Sequence, residues 1–288
     1  VSDRGIGAAV DRGEVDALDG LLRDGGRKGS AVGARAVFLL FFRPVPPSEI
    51  ASPPTRRIYL VRHGETLYGA GATSGDDLTP AGYRQIEALE QLLRPTAIDA
   101  IYASPLERAQ ATARTLAGLS GVPITTIDTL REIIPGDLSV LSASTSQDVA
   151  GFLRQAIGYF VDPETRWDTP YLGGETYRSL RERVWPFFVE LTQRTDWRRA
   201  VVVAHGGVNN ALIGRILGTG EPGLANVEQD FGGLNIIDLV DGRPVLRLLN
   251  FTAYDPLKAG LEASSMDILR SILERGLGVS MTPSGGGG

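Results

Sequence analysis

The chain has 288 residues, 42% of them hydrophobic, and a formal net charge of −5. That length supports an α/β core of about 200–230 residues plus an extension, and an acidic balance without a long basic block argues against a nucleic-acid partner. With no cysteines and two histidines, disulfides and thiol chemistry are excluded, and little is left for a zinc or iron site.

Residues 1–56 read as an N-terminal extension, poorly ordered or weakly helical. A faint helical period runs through Val10, Leu18, Leu21 and Leu22, broken by Gly7, Gly13 and Gly20. Gly25 to Gly33 is glycine-rich, and Pro44 to Pro54 is a proline-rich linker. The longest apolar run, Ala36 to Phe42, is too short to span a bilayer. It also lies too deep in the chain, and ahead of too poor a cleavage sequence, to be a signal peptide. The expectation is a cytoplasmic protein with no membrane segment, with secretion as the alternative. Residue 1 is Val and the only methionines are Met266 and Met281. A start codon read as valine would explain this, with a later start, for instance at Val45, as the alternative. The main domain is expected over 57–275 and a disordered glycine-rich tail over 276–288.

Strand one covers about 57–62. Leu78-Thr79-Pro80 opens a helix, with Thr79 as N-cap, Pro80 at the first position and an apolar face of Ile86, Leu89 and Leu92-Leu93. Ile98 to Ala103 is a second strand, and Ser104-Pro105 begins a capped helix to about Leu119. Ile124 to Ile127 is a third strand; Ser146 to Phe160 and Gly174 to Thr195 are longer helices. Ala200 to Ala204 is another strand, followed by a helix from about Val208 to Leu217. Leu234 to Val240 and Val245 to Phe251 form a hairpin across Asp241-Gly242. Strands separated by helices predict a three-layer α/β/α sandwich, with a mainly parallel open sheet and an antiparallel edge strand.

Both histidines occupy the same context. Ile58-Tyr59-Leu60-Val61 leads into Arg62-His63-Gly64-Glu65-Thr66, and Ala200 to Ala204 leads into His205-Gly206-Gly207. An apolar run stopping at a polar residue and a glycine reads as a buried strand open at its carboxyl end, where such sheets build ligand sites. Arg108 falls in the first turn of the second helix. A cation there opposes the helix dipole, and a bound anion would compensate. Arg62 would face the same crevice.

These residues resemble the histidine phosphatase superfamily, the phosphoglycerate-mutase-like proteins. Arg62-His63-Gly64-Glu65-Thr66 resembles its RHG signature, and Ser104-x-Leu106-x-Arg108-Ala109-x-x-Thr112-Ala113 its second motif. Leu130-Arg131-Glu132 resembles its acidic motif, and His205-Gly206-Gly207 its second histidine. The likeness spans roughly residues 57–251. It implies a metal-independent phosphatase, needing no cofactor, that hydrolyses a small phosphomonoester through a phosphohistidine. A neutral imidazole can carry and release a phosphoryl group near pH 7. The phosphoryl oxygens need fixed positive donors, which Arg62, Arg108 and His205 can supply.

The resemblance makes Glu132 the acid for the leaving oxygen and then the base for water, with Glu65 and Asp137 as alternatives. Thr66 either binds phosphate or holds its loop. Gly64, Gly206 and Gly207 let backbone approach the phosphoryl group, and the helix after His205 adds a positive dipole end. Two departures stand out. Tyr68 and Gly69 replace the tryptophan and asparagine that the family often has, and Ile133-Ile134-Pro135-Gly136-Asp137-Leu138-Ser139-Val140 keeps only Gly136 of its glycine and Trp-Glu-Gly run. Tyr159 to Arg183 resembles a segment that caps the site: residues 163–173 are expected to shape substrate entry, with Arg181 and Arg183 mostly on the surface. Two other functions remain open, a phosphoglycerate mutase and a non-catalytic phosphate-binding module. Against the mutase, Pro135 to Ser146 is short and holds no Lys or Arg. The expected partner is a small phosphorylated substrate; monomer and homodimer are both open.

Overall fold

Valine, isoleucine and leucine dominate the strand sequences, and the computed structural model gathers them in one central sheet. It describes residues 56–66, 77–118, 120–136, 167–219 and 227–261. Among these are six strands and four α-helices: β1 (Arg56–Arg62), α1 (Pro80–Leu93), β2 (Ala100–Ala103), α2 (Glu107–Ala117), β3 (Ile124–Thr126), α3 (Tyr177–Gln193), β4 (Arg199–Ala204), α4 (Gly206–Ile216), β5 (Leu234–Val240) and β6 (Arg243–Phe251). Short 3-10 turns cover Asp128–Leu130 and Tyr171–Gly173. None of the described helices is long and apolar enough to cross a membrane.

The strand order is β3-β2-β4-β1-β5-β6. β3, β2, β4 and β1 run parallel, and β5 runs antiparallel to both β1 and β6. The expected mainly parallel sheet is therefore present, with the terminal hairpin at one edge. Its turn residues Asp241 and Gly242 have φ of 50° and 76°, the left-handed geometry that two-residue hairpins favour.

Alternate residues of β1 face opposite layers, as the two-residue strand period requires. Ile58 and Leu60 enter a core with Leu180, Val184 and Phe188 of α3 and Leu212 of α4. Tyr59 and Val61 enter a second core with Ile86 and Leu89 of α1 and Ala109 and Ala113 of α2. Chain leaving β1 thus passes to one face and chain leaving β4 to the other. The point where such connections part is where an open α/β sheet forms its crevice.

Local chemistry explains most boundaries. Thr79 accepts the Gly82 N–H at 2.9 Å and Pro80 follows it, so α1 starts where expected. The cap expected at Ser104 is a correction: α2 begins at Glu107, Leu106 is its cap residue and makes no side-chain cap bond. The long helix begins at Tyr177 rather than Gly174, because Thr176 and Ser179 form a reciprocal capping box. α4 starts two residues earlier than expected, immediately after His205. Strand two is shorter than expected, starting at Ala100. Apart from Arg56, the expected N-terminal extension lies outside the described residues, as do the Ser146 to Phe160 helix and the 276–288 tail.

Candidate active site

β1 and β4 are neighbours in register, with Arg62 opposite Ala204, so the two histidines leave the sheet side by side. The His63 N–H donates to the Ala204 carbonyl at 3.1 Å. The imidazole centroids are 5.0 Å apart and the rings meet edge to face. His63 and His205 are both almost fully buried.

His63 Nδ1 lies 2.7 Å from the Gly64 carbonyl oxygen. A carbonyl only accepts, so Nδ1 carries the proton and Nε2 keeps the lone pair. The signature loop is tied to α2: Gly64 N–H donates to Thr112 Oγ1 at 3.1 Å, and that hydroxyl donates to the Arg108 carbonyl at 2.9 Å. Arg108 is the second residue of α2, close enough for its charge to act on both imidazoles.

Gly64 is needed here because α1 approaches closely. A Cβ at this position would lie 2.8 Å from the Gly82 carbonyl oxygen. Glu65, the alternative acid, is bound into the same junction: Thr79 Oγ1 donates to its carboxylate at 2.7 Å and its N–H donates to Gln85 Oε1 at 2.9 Å. Thr66 Oγ1 donates to the Asp77 carbonyl at 2.7 Å, the loop-holding contact that was one of its two expected roles.

Ser104 Oγ lies 2.8 Å from His205 Nε2 and also accepts the Leu106 N–H at 3.3 Å, just ahead of the first residue of α2. His205 Nδ1 is buried with no hydrogen-bond partner among the described residues. Burial, then the charges of Arg62 and Arg108, hold His63 well below the usual histidine range, against the opposing pull of the Gly64 carbonyl. His205 is lowered by burial first, then by His63, Arg108, Arg62 and Arg183. Both rings are therefore neutral at pH 7.

A depressed histidine pKa has a definite effect on stability. The unfolded chain takes up protons near pH 6.5, whereas the folded chain does so only at lower pH. Stability is full above about pH 6.5 and falls as pH drops toward the folded values, by up to about 1.4 kcal/mol per pH unit for each ring. The thermal midpoint should be flat from about pH 8 to 7 and decline below about 6.5. A midpoint unchanged down to about pH 5 would show that the rings are not held neutral.

Arg62 reaches back under the crevice. Its Nη1 donates to the Gln229 carbonyl, and its guanidinium lies 3.9 Å over the Phe231 ring. Gly206 faces this guanidinium, with its Cβ position 3.6 Å from Arg62 Cζ. The next glycine faces Glu132, the expected acid: Glu132 Oε2 accepts the Gly207 N–H at 3.1 Å, and Oε1 accepts the Ile133 N–H at 2.9 Å. A Cβ at Gly207 would lie 2.5 Å from Glu132 Oε1. The start of α4 thus brings His205, Arg62 and the Glu132 carboxylate together, where its positive dipole end favours negative charge.

Arg183 is a correction to its expected surface placement. Its side chain is 21% exposed. Nη1 donates to the Thr129 and Arg131 carbonyls at 2.6 and 3.0 Å, and Nη2 to the Glu132 carbonyl at 3.4 Å. Nε and Nη2 also grip both oxygens of Glu175 at 2.8 Å each, the bidentate geometry that makes such pairs strong. Glu175 in turn accepts the Ile134 N–H at 3.1 Å and donates its own N–H to the Ile134 carbonyl at 2.8 Å. The 129–134 segment bearing Glu132 is held by this clamp. Arg181, also expected mostly on the surface, lies 4.0 Å over the Trp167 ring, and Trp167 is buried. The 163–173 stretch is therefore partly core, with residues 163–166 outside the described set. Asp137, the other alternative acid, also lies outside it. Among the described residues no group of three or more His, Asp or Glu side chains is placed to hold a metal ion.

Comparison with known proteins follows the same span. Residues 58–252 match the family model of the histidine phosphatase superfamily, branch 1. An adenosylcobalamin/alpha-ribazole phosphatase of Salmonella typhimurium LT2 is 31% identical over 204 residues, 68% of this chain and 97% of the relative. A glucosyl-3-phosphoglycerate phosphatase of Mycolicibacterium vanbaalenii is 34% identical over 174 residues, 57% of this chain and 75% of the relative. Among solved structures, a putative alpha-ribazole-5'-P phosphatase of Escherichia coli K-12 superposes with a TM-score of 0.56 at 28% identity, covering 68% of this chain and 96% of its own.

Proposed function

The chain belongs to the histidine phosphatase superfamily, branch 1, and from that premise we propose that it hydrolyses a small phosphomonoester through a phosphohistidine at His63, without a metal. The observation that carries the proposal is the fixed tautomer of His63. Its Nδ1–H is spent on the Gly64 carbonyl at 2.7 Å, and its lowered pKa keeps Nε2 unprotonated at pH 7. A nucleophile that is neutral and already oriented needs no partner to remove its proton.

Nε2 attacks phosphorus and the ester oxygen departs with the electron pair of the broken P–O bond. Arg62, Arg108 and the α4 N-terminus face the charge on the equatorial oxygens. With Ser104 donating to His205 Nε2, His205 Nδ1–H is the donor left for one of those oxygens. Glu132, carrying the proton that the phosphomonoester brings as its monoanion, gives it to the leaving oxygen, then takes one from the water that attacks the phosphohistidine, which restores His63 and releases phosphate. Mutase activity is disfavoured because Pro135 to Ser146 carries no Lys or Arg to retain a phosphorylated acid.

Turnover of p-nitrophenyl phosphate by the purified chain in excess EDTA tests this reading. Steady hydrolysis unaffected by the chelator is expected. No turnover would favour a phosphate-binding module, and turnover lost in EDTA but restored by magnesium or zinc would overturn the metal-free mechanism.

A further inference from the structure

Behind the phosphate crevice lies a buried polar cluster that the reaction above does not use. Asn235 sits on β5 opposite Leu60 of β1 and is fully buried, one residue after the buried Leu234 and two before the buried Ile237, a place where strand alternation and packing would accept an apolar side chain. Burying an amide there is unfavourable unless its polar atoms are paired, and they are. Asn235 Nδ2 donates to the Leu60 carbonyl at 3.1 Å and to Gln229 Oε1 at 2.8 Å. Asn235 Oδ1 accepts from Gln229 Nε2 at 3.2 Å and from the Asn250 N–H at 2.9 Å. The two side-chain amides thus face each other in a reciprocal pair. Asn209, one turn into α4 from His205, adds a third link, donating from Nδ2 to Gln229 Oε1 at 3.3 Å.

The segment that this pair anchors is the one that touches Arg62 and His63. The Gln229 carbonyl accepts from Arg62 Nη1, and the Phe231 ring lies against the same guanidinium. Gly232 N–H donates to the His63 carbonyl at 3.0 Å, and the Arg62 N–H donates to the Gly233 carbonyl at 3.0 Å. On its outer side the segment is held again: Asp230 exchanges hydrogen bonds with Asn250 and pairs with Lys258. Two apolar residues of similar shape would fill the space of the amide pair at little net cost in stability. What they would not supply is direction. An amide pair fixes the rotation of the Gln229 side chain, and so helps fix the plane in which its peptide carbonyl meets Arg62.

We infer that Gln229 and Asn235 are positioning residues for Arg62, and that their pairing holds the guanidinium in the orientation that receives the phosphoryl oxygens. The inference rests on the phosphatase reading above. Electrostatic stabilisation of a transition state depends on donors already aimed where charge develops, and a site loosened by a fraction of an ångström loses much of that advantage. Neither residue acts on the substrate; each acts through Arg62.

The test is a double-mutant cycle in the full chain, read by p-nitrophenyl phosphate kinetics and by orthovanadate affinity, the latter from titration calorimetry so that no turnover is needed. Gln229→Met keeps side-chain length and the backbone carbonyl while removing the amide. It should weaken vanadate binding and lower kcat by about tenfold, less than the 10²–10³ typical for outright loss of a preorganised donor, with KM moving less. In an Arg62→Ala background, the same substitution should add less than about twofold, because the residue through which it acts is gone. Gln229→Met within about twofold of wild type, or losses that multiply in full with Arg62→Ala, would overturn the inference while leaving the phosphatase reading intact. A wild-type chain that neither turns over substrate nor binds vanadate would overturn both. Should Gln229→Met fail to fold by circular dichroism, Asn235→Thr replaces it in the cycle. That substitution keeps the strand preference of β5 and breaks the amide pair, and the same outcomes decide.

Discussion

Replacing His63 with alanine is expected to abolish hydrolysis and covalent phosphate labelling while leaving the chain folded. Removal of a covalent nucleophile costs about 10⁶-fold in turnover where it has been measured, and among the described residues no other group in the crevice matches His63. Of the two histidines, His205 has Nε2 engaged by Ser104. Glu132 is held by two backbone N–H groups, and the arginines carry no lone pair to offer. Folding should survive. The lost ring leaves a small cavity beside Phe231 and His205, a change of about 1–3 kcal/mol. Labelling with radioactive substrate, quenched in detergent at alkaline pH where phosphohistidine survives, and a thermal melt check the two halves of this expectation. Stable labelling of His63→Ala at another residue would move the nucleophile elsewhere.

Glu132→Gln should produce a defect that depends on the leaving group. An alkyl phosphate needs a proton on its departing oxygen, so its kcat/KM should fall by about 10²–10⁴, the usual contribution of a general acid. An aryl phosphate with a good leaving group needs little protonation, so His63 should still be phosphorylated at close to the normal rate. The phosphohistidine would then lack the base that activates water, accumulate, and appear as a burst followed by slow turnover. Glutamine can still accept one of the N–H groups that Glu132 accepts, from Gly207 or Ile133, so a gross shift of the 129–134 segment is not expected. Asp137→Asn is the control. If Asp137→Asn shows the leaving-group dependence and Glu132→Gln behaves as wild type, the acid belongs at position 137.

The histidines were legible because their signal is local. A β-branched run ending in His-Gly marks both a strand and its carboxyl end, and six or seven residues suffice to see it. The same holds for Thr79-Pro80 at the start of α1, where a cap and a favoured first residue are adjacent. Ser104 shows where local reading fails. Ser-Pro ahead of a helical run reads as a cap, yet the helix starts later at Glu107, and the Ser104 hydroxyl, besides accepting the nearby Leu106 N–H, meets His205, 101 residues away. A serine hydroxyl can donate and accept at once, and its distant partner here depends on packing that no local window contains.

The sequence by itself determined the α/β class, the two strand-end histidines, and the arginine in the first turn of α2, because each is written in the periodicity and end signals of a single element. Tertiary structure alone decided what holds those groups in place. On a helix face, Arg183 reads as a solvated cation. Only the packing of α3 against residues 129–134 turns it into a clamp on three carbonyls and Glu175, reaching up to 54 residues along the chain. Gln229 reads as a loop amide until β5 and α4 close around it and its carbonyl meets Arg62, 167 residues earlier. Strand and helix formation follow from neighbours in sequence, whereas the burial that makes a polar side chain bond in one direction depends on which distant backbone groups share its space.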